Sequence, residues 1–207
     1  MNSINTRVNF DIESVFTGHH NVEYRGVNYI KNPFDYVMYQ MIINEVKPDL
    51  IIEVGTRFGG GALYMADLLD VIGKGEVHTI DIIDYVGSPL VKEHPRIKRF
   101  LNGYQGYDLS NAEGFETILV IEDASHIYKD CKEAIEKFAP LVSKDSYLIV
   151  EDGIITPLNL KGYNGGPLRA ISEFLPNHEE FIVDKRWCNF FGHNATHNVS
   201  GFLKKVS

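Results

Sequence analysis

The sequence predicts an α/β fold: a doubly wound, mostly parallel sheet of seven strands, with helices on both faces and an antiparallel hairpin at its C-terminal edge. Three observations predict it. Short apolar runs alternate with segments of helical period through most of the chain, the pattern of βαβ units. The strongest runs, over 50–54, 118–121 and 146–150, are apolar at nearly every consecutive position, as strands buried on both faces are. A glycine-rich turn follows the first of them and acidic residues close the other two, at the strand ends where such sheets bind ligands.

The elements follow in order. Residues 1–23 are polar and lack strong periodicity, so they read as an N-terminal arm or a cover over the active site, leaving 24–207 as one domain. Asn32 and Pro33 form a helix start, a capping side chain followed by proline in the first turn. Phe34, Val37, Met38, Met41 and Ile42 then share a face, and Pro48 ends the helix. After the strand over 50–54, the turn 55–61 opens a helix over 62–71 that Gly73 and Gly75 close. Strands follow over 77–82, 97–101 and 118–121. Cys131, Ala134, Ile135 and Phe138 mark the core face of the next helix. The strand over 146–150, a helix over 167–175, and strands over 181–185 and 201–206 complete the count. The segment 187–200 holds His193 and His197 at helical spacing, but Gly192, Asn194 and Asn198 make it a loop rather than a metal-binding helix. The run 163–167, Tyr-Asn-Gly-Gly-Pro, reads as a loop beside the active site, suited to acceptor contacts.

Composition narrows the function. The chain has 207 residues, 44% hydrophobic and 23% charged, an ordinary globular balance. A formal net charge of -8 argues against a broad nucleic-acid or anionic-membrane surface. A local basic groove around Lys92, Arg96, Lys98 and Arg99 remains open. No run is long and apolar enough to span a membrane, and two cysteines without a CxxC pair give no sign of an oxidising compartment. The expectation is a cytoplasmic enzyme with a small-molecule acceptor, no nucleic-acid partner and no membrane partner.

The turn runs Glu53-Val54-Gly55-Thr56-Arg57-Phe58-Gly59-Gly60-Gly61. Glycines there let the backbone pass close to a ligand. Their spacing is not the G-x-G-x-x-G of a pyrophosphate turn, and Glu53 would repel a pyrophosphate. A carboxylate at that position suits the cationic amino-acid end of S-adenosylmethionine instead. Asp81, followed by Ile82 at the end of the second strand, is placed to take ribose hydroxyls, with a turn or cap role as its alternative. Gly103 is a candidate floor for the adenine. The expected cofactor-binding set is therefore Glu53, Gly55, Thr56, Gly59, Gly60, Asp81, Ile82, Gly103 and Asp123.

Asp123-Ala124-Ser125-His126 closes the fourth strand, and Glu151-Asp152 the fifth. Carboxylates at neighbouring strand ends repel one another unless a cation or protons intervene. Asp123, Glu151 and Asp152 are thus expected to bind a divalent cation, Mg²⁺ before Mn²⁺ or Ca²⁺. Such an ion would acidify an acceptor hydroxyl. His126, with Asp123, is the candidate catalytic pair, as a general base or an outer metal ligand.

Together these residues resemble the cephalosporin hydroxylase family, which includes rhamnosyl O-methyltransferases. The resemblance is carried by Tyr24-Arg25-Gly26-Val27, Lys31-Asn32-Pro33-Phe34-Asp35, Glu53-x-Gly55-Thr56-x-x-Gly59-Gly60, Asp81, Asp123-x-Ser125-His126, Glu151-Asp152, Gly166-Pro167 and Gly201-Phe202-Leu203-Lys204. It implies a Rossmann-like methyltransferase fold, S-adenosylmethionine as cofactor, a Mg²⁺ site on Asp123, Glu151 and Asp152, and homo-oligomeric assembly. Tyr24 stands where tryptophan is usual, Gly61 where serine is usual, and Asn102-Gly103-Tyr104 departs after the third strand. No haem, flavin or facial-triad site supports the oxygen chemistry in the family name. The expected activity is S-adenosylmethionine-dependent, metal-assisted O-methyl transfer. A nicotinamide oxidoreductase and an inactive binding or assembly module are the alternatives.

Overall fold

The computed structural model describes residues 11–207, so the first ten residues of the expected arm lie outside the described residues. The chain opens with α1 (Ile12–Gly18) and a small hairpin, β1 (Glu23–Tyr24) and β2 (Val27–Asn28). Then come α2 (Pro33–Val46), β3 (Leu50–Val54), α3 (Gly60–Ile72), β4 (Glu76–Ile80), the single turn α4 (Pro89–Lys92) and β5 (Ile97–Phe100). The second half holds α5 (Gly103–Gly106), β6 (Ile118–Glu122), α6 (Tyr128–Phe138), β7 (Tyr147–Val150), α7 (Gly166–Phe174), β8 (Phe181–Val183), α8 (Lys185–Cys188) and β9 (Phe202–Lys205).

Seven strands form one sheet in the order β5-β4-β3-β6-β7-β9-β8. The five strands β3 to β7 pair in parallel, and β9 is antiparallel to both its neighbours. The expected C-terminal hairpin is present, with β8 at the outer edge and β9 folded inside it against β7. From β3 the chain winds outward through β4 to β5, and from β6 it winds the other way. The switch between β3 and β6 is where an open α/β sheet leaves a crevice. In-register pairing of Val54 with Ile80 and with Glu122, and of Glu122 with Val150, brings four strand ends side by side there.

Alternation along each strand divides the core. Ile51, Leu119, Ile121, Ile149 and Phe202 face α2 and α3, packing with Met38, Ile42, Leu63 and Leu69. Leu50, Ile52, Val120, Leu148 and Leu203 face α6 and α7, packing with Cys131, Ile135, Phe138, Ile171 and Phe174. Helix α2 starts as expected, with the Asn32 side chain accepting from Phe34 N at 2.9 Å. Its buried face is rotated one residue from the expected one: Asp35, Met38, Tyr39, Ile42 and Ile43 point inward, and Val37 is exposed. The cause is Asp35, a fully buried acid whose carboxylate accepts from the Thr196 hydroxyl and from His197 N. The possible basic groove is also cancelled, because Arg96, Lys98 and Arg99 pair with Asp70, Glu76 and Asp84.

Gly55 ties two of the strand ends together. Its φ is +109°, and an added Cβ would overlap the backbone carbonyl of Asp123. Gly55→Ala is expected to destabilise the protein by about 2 kcal/mol or more, read as a lower urea midpoint. Gly18→Ala is the control, since its methyl would meet nothing within 4 Å.

Candidate active site

The strand ends open into a cleft of about 420 Å³, within the size range of small-molecule sites. Glu53, Gly55, Thr56, Gly60, Asp81, Ile82, Gly103, Asp123, His126 and Asp152 all line it, so the two sites expected from sequence are one. Gly59 lies behind the wall as the N-cap of α3, with φ at 87°.

Asp81 holds the glycine turn. One oxygen accepts from Thr56 N at 3.0 Å and Arg57 N at 2.8 Å, the other from Ile82 N and Ile83 N. That is the turn role, and four bonds fill a carboxylate's acceptor sites. A ribose hydroxyl would have to take the place of one of these amides. Glu53 is buried beneath the turn and accepts from the Thr79 hydroxyl at 2.5 Å. Burial lifts its carboxyl to about 8, with the Thr79 bond opposing and the Asp123 charge adding to the rise. Gly103 is buried with φ at +69°, where a Cβ would come within 2.7 Å of Ile82 Cγ2.

On the other wall, Asp123, His126 and Asp152 each offer a ligand atom within 4.8 Å of the others. His126 Nε2 lies 3.2 Å from Asp152 Oδ2 and 3.7 Å from Asp123 Oδ1. Burial works against its charge, but the two carboxylates outweigh burial and hold the imidazole above the ordinary histidine range. His126 Nδ1 is buried without a hydrogen-bond partner among the described residues. Both His126 and Asp152 sit in left-handed backbone, at φ 57° and 53°, a conformation that concentrates at functional sites.

Glu151, expected as the third carboxylate ligand, does not join that cluster in this structure. One oxygen accepts from Tyr39 OH at 2.5 Å and the other is paired with Lys31. Lys31 Nζ also lies 3.3 Å from Asp123 Oδ2. The ammonium is buried, yet the Asp123 and Glu151 charges overcome desolvation and hold its pKa well above the usual lysine value.

His197 is buried with Nδ1 3.8 Å from Asp152, and burial lowers its pKa to about 4. His193 is exposed, against Asn189 Oδ1 at 3.2 Å, so the two histidines form no pair. The loop 163–167 sits beside the site, where Tyr163 O accepts from Tyr128 N and a Cβ on Gly166 would come within 3.1 Å of His126 O. Sequence reasoning gave no role to Tyr29, Tyr39 or Thr79, and had Lys31 only as the first residue of the family-like run 31–35. Thr79 stands beside Glu53 in the strand register, which only the structure fixes.

The family model described as rhamnosyl O-methyltransferase/CmcI matches residues 17–206. A rhamnosyl O-methyltransferase of Mycobacterium tuberculosis is 31% identical over 202 residues, covering 87% of this chain and 76% of its own. A solved CmcI structure described with Mg-SAM superposes with a TM-score of 0.70 at 20% identity, over 91% of this chain and 78% of that one. A second, described with SAH, gives 0.69 at 18% identity, over 99% and 97%.

The raised Glu53 carboxyl has a consequence for stability. Its native value, about 8, lies above the unfolded value of 4.5, so native Glu53 keeps a proton that the unfolded chain releases between them. This contribution is complete below pH 4.5 and is lost as pH rises through about 8. His197 acts in the opposite sense, between about 4 and 6.5. Urea unfolding of the ligand-free protein at pH 6.5 and 8 is therefore expected to show a smaller fall in stability for Glu53→Gln than for wild type. Coincident slopes would remove the assignment.

Proposed function

The chain belongs to the rhamnosyl O-methyltransferase/CmcI family and is an S-adenosylmethionine-dependent O-methyltransferase, and from that premise we propose that it methylates a hydroxyl of a sugar or other polyhydroxylated small molecule with the help of a divalent cation. One observation carries the reading: the glycine turn with Glu53 and the Asp123–His126–Asp152 cluster line the same cleft.

S-adenosylmethionine supplies an electrophilic methyl group on a positively charged sulfur, and a divalent cation supplies Lewis acidity toward hydroxyl oxygens. Two carboxylates converging at this point fit such a cation, Mg²⁺ before Mn²⁺, with the His126 imidazole beside them keeping its Nε2 lone pair for a proton. Asp123 and Asp152 would hold it, with His126 beside them. Glu151 would support Asp123 from behind, through the ammonium of Lys31 that both carboxylates share.

The turn at Gly55 brings backbone close to the cofactor, while Ile82 and Gly103 border the space for its adenosine. The cleft aligns donor and acceptor, an effect worth roughly 7 kcal/mol or more when the reacting atoms are held in line. His126 Nε2 is the base that takes the acceptor's hydroxyl proton. Homo-oligomeric assembly belongs to the same reading and rests on the resemblance.

Calorimetric titration tests the cofactor and the cation separately. Wild type is expected to bind S-adenosylmethionine at micromolar Kd and NAD not at all, with binding weakened about tenfold or more in Asp81→Ala. A Mg²⁺ response present in wild type should vanish in Asp152→Ala. NAD binding in place of S-adenosylmethionine would sink the reading in favour of an oxidoreductase.

The base has its own test. His126→Ala is expected to lower kcat by about 10²–10⁴-fold with the S-adenosylmethionine Kd held within about twofold. Unchanged kcat would take the role from His126.

A further inference from the structure

Tyr29 follows the hairpin and was given no role by sequence. Its side chain is 5% exposed, and its hydroxyl is buried without a hydrogen-bond partner among the described residues. Burying a phenol in that state is unfavourable unless a ligand completes the bond. The ring is fixed by Tyr36 and Tyr64, at centroid distances of 5.4 and 5.6 Å, so the hydroxyl is rigidly placed.

Tyr29 lines the cleft at the start of α3. A Cβ on Gly60 would come within 2.7 Å of Tyr29 Cβ, and one on Gly61 within 3.1 Å of Tyr29 Cε2 while overlapping Glu53 Oε1. Two glycines in succession thus keep open a space bounded by the Tyr29 ring, the Glu53 carboxyl and the first turn of a helix running Gly60–Ile72. The first N–H groups of that turn have no partner within the helix, and they carry its positive end. Asn28 Oδ1, also buried and unpartnered, lines the same cleft, and Lys31 Nζ lies 5.3 Å from the centre of the Tyr29 ring.

The polar inventory of this space is therefore a phenol donor and helix amides on one hand, and carboxyl and amide oxygens on the other. Its complement is a group with a carboxylate and an ammonium on one carbon. Resting on the cofactor reading above, we propose that Tyr29 is a specificity-determining residue for S-adenosylmethionine, its hydroxyl donating to the α-carboxylate of the methionine end. The Gly60 and Gly61 amides assist on that carboxylate, and Glu53 and Asn28 receive the ammonium.

The test is calorimetry of wild type and Tyr29→Phe with two probes, S-adenosylmethionine and its decarboxylated analogue, which keeps the sulfonium and the ammonium. Phenylalanine preserves the ring packing, and the analogue reports whether the rest of the site is intact. Wild type is expected to prefer S-adenosylmethionine. Tyr29→Phe is expected to bind S-adenosylmethionine about tenfold more weakly, a difference of about 1.4 kcal/mol, and the analogue as wild type does. Equal weakening of both probes would mark Tyr29 as a packing residue and overturn the inference, as would no weakening of either. Wild type that bound neither probe would overturn the cofactor reading itself, and this inference with it.

Discussion

Lys31 carries a positive charge into the interior beneath the strand ends, and the arrangement of the active site depends on it. Parallel pairing brings acidic residues of β3, β6 and the residue after β7 to within one register step of one another at the strand ends, with Glu53, Glu122 and Glu151 all buried. Carboxylates gathered there would repel strongly in a medium of low dielectric, and each has also lost its water. The Lys31 ammonium touches Asp123 and Glu151 together, and Tyr39 donates to the latter's other oxygen. Removing one member of such a cluster leaves an uncompensated buried charge, typically costing about 3–5 kcal/mol. Because Lys31 lies just before α2, the same contact fixes where that helix begins over the sheet.

The topology explains why the candidate cofactor and reaction residues share one cavity. The chain winds away from β3 in one direction and from β6 in the other, so no crossover helix covers the switch between them. Gly55 can then pack against the Asp123 backbone, joining the turn to the acidic cluster. The Asp35 contacts with Thr196 and His197 draw the loop after α8 onto the start of α2. That loop brings His197 to Asp152, so three segments distant in sequence meet around one carboxylate.

Much of this was legible in the sequence. Apolar runs gave the five central strands and the late hairpin, and the strand-end rule placed Glu53, Asp81, Asp123 and Asp152 correctly at one edge. Side-chain direction was harder. Consecutive residues at a strand end tend to point to opposite sides, so Glu151 and Asp152 part company: the former turns toward Lys31 and Tyr39, the latter into the cleft. His126 stands where Glu151 was expected, through a left-handed backbone that its own type does not announce. Tyr29 and Tyr39 were silent, and Lys31 stood only within a family-like run with no role attached, because they act 112 or more residues from Glu151, or from a segment whose place over the sheet no local pattern encodes. Nothing near Asp35 in the sequence points to Thr196 and His197, 161 and 162 residues away, which donate to it. Arg96 and Lys98 read as a basic patch until their partners, 26 and 22 residues away, are seen.

Charge in the cleft is balanced in three chemically different ways, and the difference bears on how it accepts ligands. Lys31 is a covalent part of the chain, buried and paired on two sides, so it is a permanent counter-ion for Glu151. Glu53 is balanced by a proton, which burial and the neighbouring Asp123 charge favour. Asp123 and Asp152 face the imidazole of His126, whose pKa their charges hold above the ordinary histidine value against the effect of burial. The latter two are exchangeable. A cationic ammonium reaching Glu53 would release the proton, and a divalent ion reaching Asp123 and Asp152 would neutralise the charges that raise the His126 pKa. Each ligand would then replace a charge already stationed for it rather than enter an unbalanced site. The ligand-free protein can therefore keep its carboxylates gathered at the strand ends.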